Sequence, residues 1–171
     1  MFEEILGIPA HPLLIHAAVV FVPLQVLAAI AYAVVPMTRR YIWWAVLGLA
    51  VIAPGAAWFA KLSGTALKER LIRHNQASGT FLSKVDQHNS FGDRTAYFAT
   101  ALGVLMLLMV LVVTKRPAEG ETSKSLVGAG AGGSMVVSVL MLVGIIVIGG
   151  VTGYYIFRTG DTGAHMVWQG Y

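Results

Sequence analysis

The chain has 171 residues, of which 57% are hydrophobic and 12% charged. A soluble domain carries about 25% charged residues, so most of this surface does not face water. The absence of Cys excludes disulfides, thiolate chemistry and iron–sulfur ligation by this chain, and the formal charge of +4 has no basic stripe with interleaved aromatics behind it, which excludes a nucleic-acid role.

Taken in order, residues 1–10 form a short amphipathic lead with Phe2, Ile5, Leu6 and Ile8 on an acidic background, placed at the membrane interface. It does not read as a cleavable signal, because its first charges are Glu3 and Glu4 and the apolar run continues past Pro36. Pro12 suits a first helical turn, where its missing N–H costs nothing. The first span covers residues 13–35, about the twenty residues that a hydrocarbon core requires. Its only strongly polar side chains are His16 and Gln25, and Pro23 is expected to kink it.

A second span over 41–61 opens on Tyr41, Trp43 and Trp44, as an aromatic belt does, and closes at Lys61, Ser63 and Gly64. Residues 62–92 are the only sizeable polar segment. Leu67 with Leu71, and Phe81 or Leu82 with Val85, repeat at helical spacing, which predicts two short amphipathic surface helices broken near Ser78 and Gly79. Ser90 and Asp93 have the spacing of a capping box, so a third span is expected over 93–114. The Pro-, Gly- and Ser-rich stretch 115–133 predicts a flexible linker, and a fourth span follows over 134–157. There Gly149 and Gly153, four apart, offer a surface for another helix, in this chain, a second copy or a partner subunit. The tail from Arg158 to Tyr171 is too short for a domain.

The fold class is therefore all-α membrane: a single domain of four transmembrane helices. Both termini and 62–92 share one side. The short linkers carry five basic against two acidic residues, the other side seven against six. The density of basic residues near the span ends places the linkers in the cytoplasm and both termini outside, in a bacterial inner membrane. His11, His16, His74, His88 and His165 then all lie on the outer side.

The opening His11-Pro-Leu-Leu-Ile-His16, the Ser63-Gly64 pair, His88 ahead of the third span and the ending Gly160-Asp-Thr-Gly163-Ala-His-Met-Val-Trp168 resemble the bacterial membrane family called domain of unknown function 2231 over nearly the whole chain. The resemblance implies a four-helix inner-membrane protein, some of whose relatives stand beside or are fused to redox modules. By position His11, His16 and His88 match the family's motif histidines. His74 and His165 have no counterpart.

Three functions fit these residues. The first is a haem b site for electron transfer or redox sensing, which needs imidazoles from facing helices, an apolar slot and cations for the propionates. His16 with His88 is the expected axial pair and His11 the substitute, since His11 and His16 lie about 140° apart around a helix. Arg94, Lys84 or Arg73 would hold propionates. The second is a zinc, copper or iron ion on His11, His16, His88 and Asp93, a set without a compact ligand signature. The third is a cofactor-free accessory subunit, in which these histidines are interfacial or solvated. Ion-coupled transport fits poorly, because no Asp, Glu, Lys or Arg lies within residues 13–35, 41–60, 96–113 or 134–157. Hydrolysis lacks a Gly-x-Ser-x-Gly elbow and a close carboxylate pair.

Overall fold

The computed structural model describes residues 4–76, 79–114 and 132–168. A two-stranded hairpin, β1 (Glu4–Ile5) and β2 (Ile8–Pro9), leads into four long helices: α1 (Ala10–Val34), α2 (Arg39–Arg73), α3 (Gly79–Thr114) and α4 (Gly132–Trp168). All four are long and apolar enough to cross a membrane. The hairpin turn is Leu6-Gly7, both at positive φ (54° and 78°), a conformation that glycine takes without cost.

Pro12 lies in the first turn of α1, as its chemistry requires. The far end of α1 stops where Pro36 forces Val35 out of the helical region and opens a single 3-10 turn, Pro36–Thr38. The orphan carbonyls left there are capped from the next helix: Arg39 donates from Nε to the Tyr32 carbonyl at 2.8 Å and from Nη2 to that of Ala33 at 3.0 Å.

Sequential helices pack side by side, and α1 with α4 closes the ring. One cluster, Ala29, Tyr32, Val46, Leu102, Met106 and Ile145 among others, fills the linker half. Toward the hairpin end the core narrows to Val22, Ala53, Ala57, Ala96 and Ala99. Small residues let helices approach closely, which is how membrane bundles gain packing when lipid is as apolar as the core. Gly103 of α3 packs directly on α2, where an added Cβ would run into the Ala50 carbonyl oxygen. Across it Gln25 donates to the Ala99 carbonyl at 3.0 Å, so the one deep amide is a helix–helix hydrogen bond. Large apolar side chains such as Leu27, Val51, Leu111 and Val147 point outward, toward lipid.

Three expectations change. The polar segment 62–92 does not form separate surface helices: α2 continues to Arg73 and α3 begins at Gly79, so the amphipathic repeats belong to spans that outrun the bilayer. Ser90 and Asp93 lie inside α3 and start no helix. The tail continues α4 to Trp168. Gly149 is buried against Val26 and Ile30 of α1, so this part of the small-residue surface serves packing within the chain. The linker expected over 115–133 lies outside the described residues up to Gly132, as does Tyr171.

Candidate functional site

The hairpin end of the bundle brings together His11 from the first turn of α1 and His88 from α3. Their ring centres are 6.2 Å apart, with ring planes at 80°. Both imidazoles are half-buried. His11 Nδ1 lies 3.0 Å from the Ala60 carbonyl oxygen and 3.1 Å from Ser63 Oγ, both on α2. The Ser63 hydroxyl proton is committed to the same Ala60 carbonyl at 2.9 Å. A carbonyl only accepts, so Nδ1 of His11 carries the proton and Nε2 keeps a free lone pair.

His88 repeats this arrangement against α4. Its Nδ1 is 3.1 Å from Thr162 Oγ1, and the Thr159 carbonyl is a further partner of the ring. The Thr162 hydroxyl gives its proton to the carbonyl of Arg158 at 2.8 Å, with that of Thr159 at 3.2 Å. Nδ1–H of His88 is again the donor and Nε2 again the free nitrogen. Both histidines lie outside the charge-free apolar runs 13–35 and 96–113. Burial lowers both imidazoles from their ordinary range, and His11 is lowered further by the charge His88 would carry. The two rings therefore face each other as neutral donors, the form in which histidine ligates a metal.

Two glycines make the space. A Cβ on Gly64 would lie 3.1 Å from Cε1 of His11, and one on Gly163 would lie 3.1 Å from Cε1 of His88. Asn89 Oδ1 stands near the first of these positions. Around the site Lys61 pairs with Asp93 at 3.4 Å and lies over the rings of Trp58 and Tyr97. Arg158 lies over Phe91 at 5.1 Å, and its buried Nε has no hydrogen-bond partner among the described residues.

The expected site residues are thus divided. His11 and His88 meet. His16 is exposed on the outside of α1, two residues from the buried Ala18 and so about 200° around the helix from that stripe; the expected pairing of His16 with His88 is replaced by His11 with His88. His74 is exposed at the C-terminus of α2, and exposed His165 bonds Asp161 on its own helix. Exposed Arg94 lies over the rings of Phe91 and Tyr155; Lys84 and Arg73 are exposed. Asp93 is engaged with Lys61, and among the described residues no group of three His, Cys, Asp or Glu gathers. Ser63, Thr162 and Arg158 were not anticipated as parts of the site.

The family model described as predicted membrane protein (DUF2231) matches residues 7–170. No curated protein and no solved structure matches the chain.

Proposed function

The chain belongs to the DUF2231 family of predicted membrane proteins, and we propose that it binds haem b through His11 and His88 and serves electron transfer or redox sensing at the outer face of a bacterial inner membrane. The observation that carries this reading is the pair of imidazoles with both Nδ1 atoms hydrogen-bonded and neither Nε2 atom bonded among the described residues. The two rings come from different helices and stand 6.2 Å apart, centre to centre, so one group could take a nitrogen donor from each.

His11 and His88 would hold haem with two donors, whereas zinc takes four. Gly64 and Gly163 let α2 and α4 lie close against the two rings and fix where they stand. The unpartnered Nε of Arg158 is a donor suited to a propionate, with Arg94 nearby over the same Phe91 ring. When bound, haem supplies a one-electron couple whose potential the chain sets through its two imidazoles and the burial around them. The carbonyls of Ala60 and Thr159 and the hydroxyls of Ser63 and Thr162 orient the rings and raise their basicity, as second partners of ligating histidines do.

A single ion such as copper between the same nitrogens is the second reading, favoured by how closely the rings approach. An optical spectrum of detergent-purified protein, expressed with haem supplied, decides. A Soret band with sharp reduced α and β bands supports haem. A flat spectrum with bound copper on metal analysis supports the ion. A flat spectrum with no metal leaves an accessory subunit.

A further inference from the structure

The two histidine environments correspond residue for residue. His11 and His88 are 77 positions apart; Ala60, Ser63 and Gly64 correspond to Thr159, Thr162 and Gly163 at a shift of 99. In each half the Nδ1 of a histidine on the first helix is held by the second: that of His11 by the Ala60 carbonyl and the Ser63 hydroxyl, that of His88 by the Thr162 hydroxyl, with the Thr159 backbone as a further partner of the ring. This hydroxyl, three residues on from the backbone partner, bonds both the ring and the backbone, and a glycine follows at the next position.

The same shifts relate most of the cores. Of the seven buried residues of α1, Ala18, Val22, Gln25, Ala29, Tyr32 and Ala33 fall, at 77, on buried residues of α3, and Ala10 falls on exposed Gln87. The eight buried residues of α2 fall, at 99, on buried Ile145, Gly149 and Thr152 and on five half-buried residues, none of them exposed. Two helices that each face a core agree in phase by chance in about one rotation out of 3.6. Agreement of both helix pairs, together with the histidine, carbonyl, hydroxyl and glycine at matching positions, is not accounted for by phase. Both hairpins run in the same sense through the membrane, which makes this a parallel repeat about an axis along the membrane normal.

We infer that the chain is an internal duplication of an α-helical hairpin, that its histidine site is built from two equivalent half-sites on the pseudo-two-fold axis, and that Ser63 and Thr162 are the paired positioning residues that hold each imidazole as an Nδ1–H tautomer. A ligand on this axis meets two like nitrogen donors, one from each hairpin, so the site suits one metal centre approached from both sides. That ligand class rests on the proposed function; the matched tautomers do not.

The test uses the full chain in detergent, labelled with 15N-histidine. Long-range proton–nitrogen spectra of the protein without added ligand report the tautomer of each ring. Hemin titration of the same samples reports affinity. The expected result is that His11 and His88 are both Nδ1–H tautomers. Ser63→Ala should loosen that state at His11 alone, and Thr162→Ala at His88 alone. Each should weaken hemin binding by a similar factor of about 10, the range for a lost second partner of a ligating histidine. Thr162→Ser, which gives the second half the hydroxyl of the first, should restore both readouts. Opposite tautomers in the two rings, a response to only one of the alanine variants, or a serine variant as impaired as alanine would overturn the inference. If no hemin binds at all, the haem reading fails and the tautomers alone decide the duplication.

Discussion

The rings of His11 and His88 meet edge to face at 6.2 Å although α2 lies between them in sequence. Neither is bonded to the other. Each is held by the second helix of its own hairpin. Removing either ring takes away half of any shared ligand. On the proposed haem reading, His11→Ala and His88→Ala should each abolish the Soret band that wild type shows when haem is supplied. His16→Ala and His74→Ala should retain it, because both residues are exposed away from the pair. Equal loss in all four variants would point to misfolding instead.

The glycines beside the rings can be tested without touching a ligand. The Gly64 site leaves 3.1 Å between a new Cβ and Cε1 of His11. Gly64→Val should displace the ring and lower hemin affinity at least about 10-fold, with far-ultraviolet circular dichroism unchanged. Unaltered affinity would show that the ring has slack to move.

Stability should fall in acid. The folded chain holds His11 and His88 below their ordinary 6.5, while the unfolded chain titrates near it. Between those values the unfolded state binds more protons, so the stability these rings confer is complete above 6.5 and declines as pH drops below it. The thermal midpoint in detergent, read at one scan rate, should decrease from pH 7.5 to pH 5. His11→Asn should flatten that slope, and a slope identical to wild type would remove His11 from the account.

Two substitutions at mid-membrane should behave oppositely. Gly103→Ala forces a methyl into the Ala50 carbonyl, a backbone atom that cannot turn aside. Helices α2 and α3 must separate, at a cost of about 1–3 kcal/mol. Gln25→Leu deletes the bond to Ala99 but also deletes Oε1, which has no partner among the described residues. Its net effect should be small, within about 1 kcal/mol. Thermal midpoints of the two variants beside wild type check both.

The spans were legible because a membrane imposes a length and a polarity that few other constraints produce. The site was legible only in part. The residues of HPLLIH do not state which histidine turns inward, since that depends on the rotation of α1 about its axis. A signal existed: the stripe Ala18, Val22, Gln25, Ala29, stepped back by seven residues from Ala18, lands on His11 and misses His16. The segment 62–92 misled because Leu67 and Leu71 repeat identically in a surface helix and in a span that continues past the lipid. Ser63-Gly64 and Thr162-Gly163 stand out as motif residues in the sequence, but that their hydroxyls hold the two imidazoles has no sign there until the partner helices are known.

Helix lengths decide how anything reaches the histidines. At about 1.5 Å per residue, α1 is about 37 Å long and α2 about 52 Å, and the tight Pro36–Thr38 turn aligns them at the opposite end. The whole difference overhangs the tip of α1, where His11 sits. The β1–β2 hairpin occupies that step and is tied down by the pair between Glu4 and Arg70. The way from the water to His11 thus passes an ion pair that salt screens, so raising the ionic strength loosens the cover over the histidines while the apolar bundle beneath it is left as it is.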